Sequence, residues 1–208
     1  MAMARRPRTM QFTATAKWLH WIVAFFMLSL LPIAIGFSYV AGPDRAEAIP
    51  VHASIGFVLL VLTLVRLGWR AAYPPPPPPE TSPHLIRLAA RVGHKMLYIL
   101  ILWQAVLGIW MAAASPVAIR LFNGFNLSAL APANPDVIAA IRPWHLAGAW
   151  ALSFVIVAHI GGALWHHFKL KDDVLIRMLP FSGLWYRLTG ADYAQAWRFP
   201  SSYLGKWP

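Results

Sequence analysis

Eight histidines and no cysteine set the chemistry open to this chain of 208 residues. Without thiols there is no disulfide, no thiolate zinc site, no cysteine-held iron–sulfur cluster and no covalent haem attachment through C-x-x-C-H. A metal or a haem would have to be held by His, Met or carboxylates. His20, His52, His94, His145 and His159 fall in or at the edges of long apolar stretches, while His84, His166 and His167 fall in connections or at a helix end. His145 and His159 are 14 residues apart on one stretch. On an α-helix that is about 21 Å of axis, and 14 steps of about 100° return to within about 40° of the same face. One helix face would then carry two imidazoles at two depths.

The elements that must position them are membrane spans. The chain is 59% hydrophobic and only 12% charged, about half the charge of a soluble domain. That excludes an ordinary soluble enzyme and a disordered chain. Four stretches reach the roughly 20 helical residues that a bilayer requires: about Trp18 to Tyr39, Val51 to Trp69, Gly93 to Ala114 and Trp144 to Phe168. Backbone groups in lipid must be bonded internally, so these read as helices. The first is too long for a cleaved signal peptide and lacks a small-residue cleavage site. Ala41-Gly42-Pro43-Asp44 ends the first span, and Pro74 through Pro79 is a stiff extended spacer between the second and third. Ser115-Pro116 opens a loop that runs to Arg142-Pro143, long enough for a short interfacial helix. The expected fold is an all-α, four-helix transmembrane bundle.

Charge orients it. The net charge is +11, from 18 Lys and Arg against 7 Asp and Glu. Arg5, Arg6, Arg8 and Lys17 precede the first span. Arg66, Arg70, Arg87, Arg91 and Lys95 lie between the second and third, and Lys169, Lys171, Arg177, Arg187, Arg198 and Lys206 follow the fourth. Only Arg45, Arg120 and Arg142 fall on the opposite side. Positive residues mark the cytoplasmic face, so both termini are expected in the cytoplasm. The basic excess is thus topological, and nucleic acid is not an expected partner.

Orientation gives each histidine a depth. His52 and His145 sit at the outer ends of their helices, and His20 and His159 lie toward the cytoplasm. The pairs His52/His145 and His20/His159 can each face across the bundle at one level. A lone histidine in a span is more simply a packing residue with a hydrogen bond. Two depth-matched pairs point instead to two haems, each iron held by imidazoles on opposite faces of a flat macrocycle. Small residues follow the ligands: Ala53, Ser54 and Gly56; Ala147, Gly148 and Ala149; Gly161, Gly162 and Ala163. His94 is a further cytoplasmic-side histidine that could replace His20 or His159, contact a propionate or a quinone, or simply cap a solvated helix start. His166 shares the face of His159.

These residues resemble the bacterial cytochrome b561 family of short four-span dihaem cytochromes, over about residues 13 to 180. The resemblance is carried by Lys17-Trp18-Leu19-His20-Trp21, Val51-His52-Ala53-Ser54-Ile55-Gly56, Arg66-Leu67-Gly68-Trp69-Arg70 before the proline run, and Gly93-His94-Lys95-Met96-Leu97-Tyr98. Trp144-His145, Ala158-His159, His166-His167-Phe168 and the stretch from Asp172-Asp173 to Pro180 complete it. It implies two haem b groups ligated by His20, His52, His145 and His159, electron exchange with membrane quinone, and residence in the bacterial inner membrane. Some similar proteins oxidise superoxide, so superoxide and a partner protein both stand as electron donors. Arg66, Arg70, Arg91 and Lys95 are candidate contacts for the propionates of the inner haem, and Arg142 for those of the outer. His94, Tyr98 and His166 form a candidate quinone or proton site. Residues 181–208 form an aromatic and basic cytoplasmic tail suited to the membrane interface. Two rival functions remain: the haem-b anchor subunit of a larger dehydrogenase or hydrogenase, and a haem-free transporter with His-liganded metal.

Overall fold

The computed structural model describes residues 12–37, 39, 41–77 and 83–182, so the aromatic tail beyond 182 and the first three arginines lie outside the described residues. Four long helices dominate: α1 (Ala14–Gly36), α2 (Gly42–Ala72), α3 (His84–Ala113) and α4 (Pro135–Trp165). Each is long and apolar enough to cross a membrane. Between α3 and α4 lie β1 (Arg120–Leu121), β2 (Phe125–Asn126) and a 3₁₀ turn at Leu127–Ala129. After α4 come a π-helical turn at His166–Leu170 and the short α5 (Val174–Met178). The start of α1 and the described residues after α5 meet at one end of the bundle: the Lys17 Nζ donates to the Ser182 Oγ at 2.6 Å, and the Trp21 indole donates to the Met178 carbonyl at 2.9 Å. This is the terminal end; the loop between α3 and α4 covers the opposite, hairpin end.

The helices run further than the apolar stretches alone indicate, because their starts are polar and capped. Thr13 accepts the Ala16 N–H at the start of α1. Pro43 occupies the first turn of α2, where its missing N–H costs nothing. The largest difference is at α4. The expected loop ran to Pro143, but the helix already begins at Pro135, where the Asn134 side chain accepts the N–H groups of Asp136 and Val137. Pro143 sits inside the helix.

α3 packs chiefly on α4, and α1 on α2. The buried centre is Val23 and Met27 of α1, Leu59 of α2, Ile101 of α3, and Leu152 and Ile156 of α4. Leu152 is midway in sequence between His145 and His159. An apolar layer therefore separates the two histidine levels. The outward faces are equally apolar: Phe154 is 75% exposed and Val157 70%. Helices that are hydrophobic all round belong in lipid.

Candidate functional site

At the hairpin end, α2 supplies His52 and α4 supplies His145, with ring centroids 6.3 Å apart. The Nδ1 of His52 is buried and has no hydrogen-bond partner. A buried polar atom left unpaired costs about 1–3 kcal/mol, unless a bound group satisfies it. Phe37 lies against His52, ring to ring at 5.4 Å, and the Arg45 guanidinium stands over the Phe37 ring at 5.7 Å. The His145 ring rests on Gly108 of α3, where a Cβ would lie 3.4 Å from its Nε2.

Two devices fix α4 here. Gln104 of α3 donates its Nε2 to the His145 carbonyl at 2.9 Å. Gly148, one turn below His145, brings the two helices into close approach: a Cβ there would fall 2.5 Å from the Gln104 Oε1 and 3.1 Å from the Trp103 ring. The loop between α3 and α4 seals this end. Besides the short 3₁₀ helix at Leu127–Ala129 it forms an antiparallel hairpin in which Leu121 pairs with Phe125. Ser128 knots the loop, its hydroxyl lying within donating reach of the carbonyls of Ala112 and Val117 and accepting from the Ile119 N–H. Leu121 and Leu127 are buried against Ala112, Ile119, Ile49 and Ala53. Ser54, two residues after His52, donates to the Pro50 carbonyl at 2.8 Å and accepts the Phe122 N–H at 3.0 Å.

At the terminal end, His20 of α1 and His159 of α4 face each other with ring centroids 6.1 Å apart. His94 of α3 is closer still to His159, at 5.1 Å. Its Nδ1–H donates to the Ala90 carbonyl at 2.6 Å, which directs Nε2 as the free acceptor. Three imidazoles thus share this level, against two at the other. Arg66 of α2 joins them. Its Nε–H donates to the Tyr98 hydroxyl at 2.9 Å and its Nη1 to the Ala16 carbonyl at 3.3 Å. Arg66, Arg70, Tyr98, Trp69, Ala16 and Tyr73 line a cleft that opens at this end. Arg91, Lys95 and Arg142 are exposed on the helix surfaces. His166 is buried in the π-helical turn and bonded through Nδ1 to the Asp172 carboxylate at 2.6 Å.

Neither facing pair is joined by a hydrogen bond, and the 6.1 and 6.3 Å separations leave room for one metal atom between two imidazole nitrogens, each about 2 Å from it. A Cβ on Gly56, one turn beyond His52, would meet nothing within 4 Å, so space is open at that position of α2. Among the described residues no three His, Asp or Glu side chains converge so as to hold one bare metal ion. The donor set is therefore pairs of neutral imidazoles in an apolar setting, which suits an iron macrocycle better than a bare ion.

Sequence reasoning missed the contacts made by the chain's return at the terminal end and the role of Ser54. Both join segments far apart in sequence through neutral or common side chains, and no local pattern marks them.

The family model for prokaryotic cytochrome b561 matches residues 11–181. Among curated proteins, the chain is similar to Cytochrome b561 homolog 2 of Escherichia coli (strain K12), 36% identical over 170 residues that cover 80% of this chain and 88% of the relative. It is 33% identical to Cytochrome b561 homolog 1 of the same organism over 172 residues, covering 82% and 97%. It is 35% identical to Probable superoxide oxidase CybB of Yersinia pestis over 131 residues, covering 62% and 73%.

Proposed function

This chain belongs to the prokaryotic cytochrome b561 family, and from that premise we propose that it is a dihaem b-type cytochrome that carries electrons across the bacterial cytoplasmic membrane to or from quinone. Membership makes it a multi-pass bacterial membrane protein of electron transfer with b-type haem. The observation that carries the finer reading is the pair of facing histidine couples, 6.1 and 6.3 Å apart between ring centroids, on either side of one apolar layer.

Bound haem supplies one-electron redox chemistry. In this reading His52 and His145 hold the hairpin-end group, and His20 and His159 the terminal-end group. His94 is the alternative partner for His159. Arg70 lines the terminal-end cleft beside Arg66 and is the better-supported propionate contact, since Arg66 is engaged by Tyr98 and Ala16. Two imidazoles on each iron would leave it no open position, which would favour outer-sphere transfer over small-molecule chemistry at the metal. The apolar layer of Val23, Met27, Leu59, Ile101, Leu152 and Ile156 excludes water between the sites. Quinone reduction takes up protons, and His94, Tyr98 and His166 are the terminal-end groups able to relay them. The excess of basic residues at the terminal end supports a cytoplasmic location for both termini.

Superoxide is the electron donor that the name of the Yersinia pestis relative suggests. Purified protein mixed anaerobically with a short-chain ubiquinol tests the quinone assignment. Reduction of the b-type absorption bands supports it. Bands that respond to dithionite but to neither ubiquinol nor ubiquinone would overturn it, and a superoxide-generating system supplied with dioxygen, in a separate sample of the oxidised protein, tests the donor.

A further inference from the structure

The two ends of the bundle differ in charge at the histidine level. His52 and Arg66 are also 14 residues apart, on α2. The spacing that puts His145 and His159 on one face of α4 therefore puts Arg66 below His52 on one face of α2. The guanidinium is fixed there by its two bonds. The Ala16 carbonyl lies one turn before His20 on α1, and the Tyr98 hydroxyl comes from one turn after His94 on α3. Arg66 thus stands between the elements that carry two of the three terminal-end imidazoles. Both acceptors are neutral, and among the described residues no carboxylate lies in salt-bridge reach of Arg66. Arg70, one turn on, lines the same cleft. The hairpin end has no counterpart. Arg45 is bonded to the Phe37 carbonyl and stands over the Phe37 ring, with no bond to His52 or His145, and Arg120 and Arg142 are exposed.

We propose that Arg66 is the residue that sets the direction of electron flow, making the terminal-end centre the electron acceptor and the hairpin-end centre the donor. The inference rests on the two-centre function above. Reduction adds one negative charge, and a fixed positive charge in a low-dielectric bundle stabilises that state. In the internal step the hairpin-end centre loses one electron and the terminal-end centre gains it. No bond forms or breaks and no proton is exchanged.

The test is a redox titration of the purified holoprotein, followed by its visible spectrum and low-temperature paramagnetic resonance. In the wild type, His145→Ala removes the hairpin-end centre and the remaining one titrates at the higher of the two midpoints. Arg66→Gln shifts the electron distribution between centres at least tenfold toward the hairpin end, which is about 59 mV for one electron. Arg66→Lys keeps the charge and restores most of the difference. The proposal is overturned if the centre left in His145→Ala titrates at the lower midpoint, a result that needs no change at Arg66. It is also overturned if Arg66→Gln, with both haems retained, moves neither midpoint or moves both equally. Fewer than two haems per wild-type chain would instead bring down the two-centre function itself, and this inference with it.

Discussion

His145 is held from three directions: its ring lies on Gly108, its carbonyl accepts the Gln104 side chain, and its helix is drawn in at Gly148. Such positioning is needed if His145 is to present one nitrogen to iron across from His52. His52→Ala and His145→Ala are each expected to lose one haem of two and to retain the terminal-end haem, read as half the extractable haem and a single remaining midpoint. Loss of the terminal-end haem alone would refute the pairing. Gly148→Ala drives a methyl into the Gln104 side chain, and overpacking of this kind costs about 1–3 kcal/mol. A lowered thermal midpoint with a disturbed hairpin-end spectrum is expected, and an unchanged protein would show that α3 and α4 can separate freely. The four histidines that meet as couples were legible in the sequence because a 14-residue spacing puts His145 and His159 on one face of α4, and span orientation gives His52 and His20 the matching depths. The position of His94 was not, since a single histidine on α3 carries depth without azimuth.

At the scale of the elements, the hairpin is the part that departs most from expectation. Asn, Pro and Gly between Ser115 and Pro143 marked a loop, but two residues per strand leave no period to read. Its order comes from side-chain bonds instead: Ser128 ties three parts of the loop, and Ser54 ties it to α2. Phe122 and Asn123 adopt positive φ values of 50° and 58° at the tip, a conformation that Phe resists. Ser54→Ala would strand the Phe122 N–H and remove one of the bonds that enforce that turn, at a cost of about 1 kcal/mol. Faster amide hydrogen exchange over residues 119–128, with the terminal-end haem unaffected, is the expected result. Exchange as slow as in the wild type would show that Ser128 and the buried leucines hold the hairpin alone. At the other end, the Asp172 carboxylate bonds His166 and the Val174 N–H and so closes the π-helical turn. Asp172→Asn weakens that closure, and increased protease cleavage between His166 and Val174 would reveal it.

The whole molecule resolves its own composition. Fifteen of its eighteen basic residues lie beyond or near one end of the apolar spans, and the bundle brings the described ones to the end where Lys17 meets Ser182. The four spans were legible because lipid demands long apolar helices, whereas their capped extensions into water were not, since polar first turns resemble loop. A reporter that fluoresces only in the cytoplasm, fused after Pro208, is expected to fluoresce in growing cells. A cysteine introduced at Asn123 is expected to react with an impermeant reagent added outside; the reverse of both results would invert the orientation. The central claim is that one chain holds two haems, one at each histidine level. Pyridine extraction of the purified protein, with haem measured against chain concentration by amino-acid analysis, tests it most directly. The account predicts two haem b per chain, and a value of one or none would contradict it.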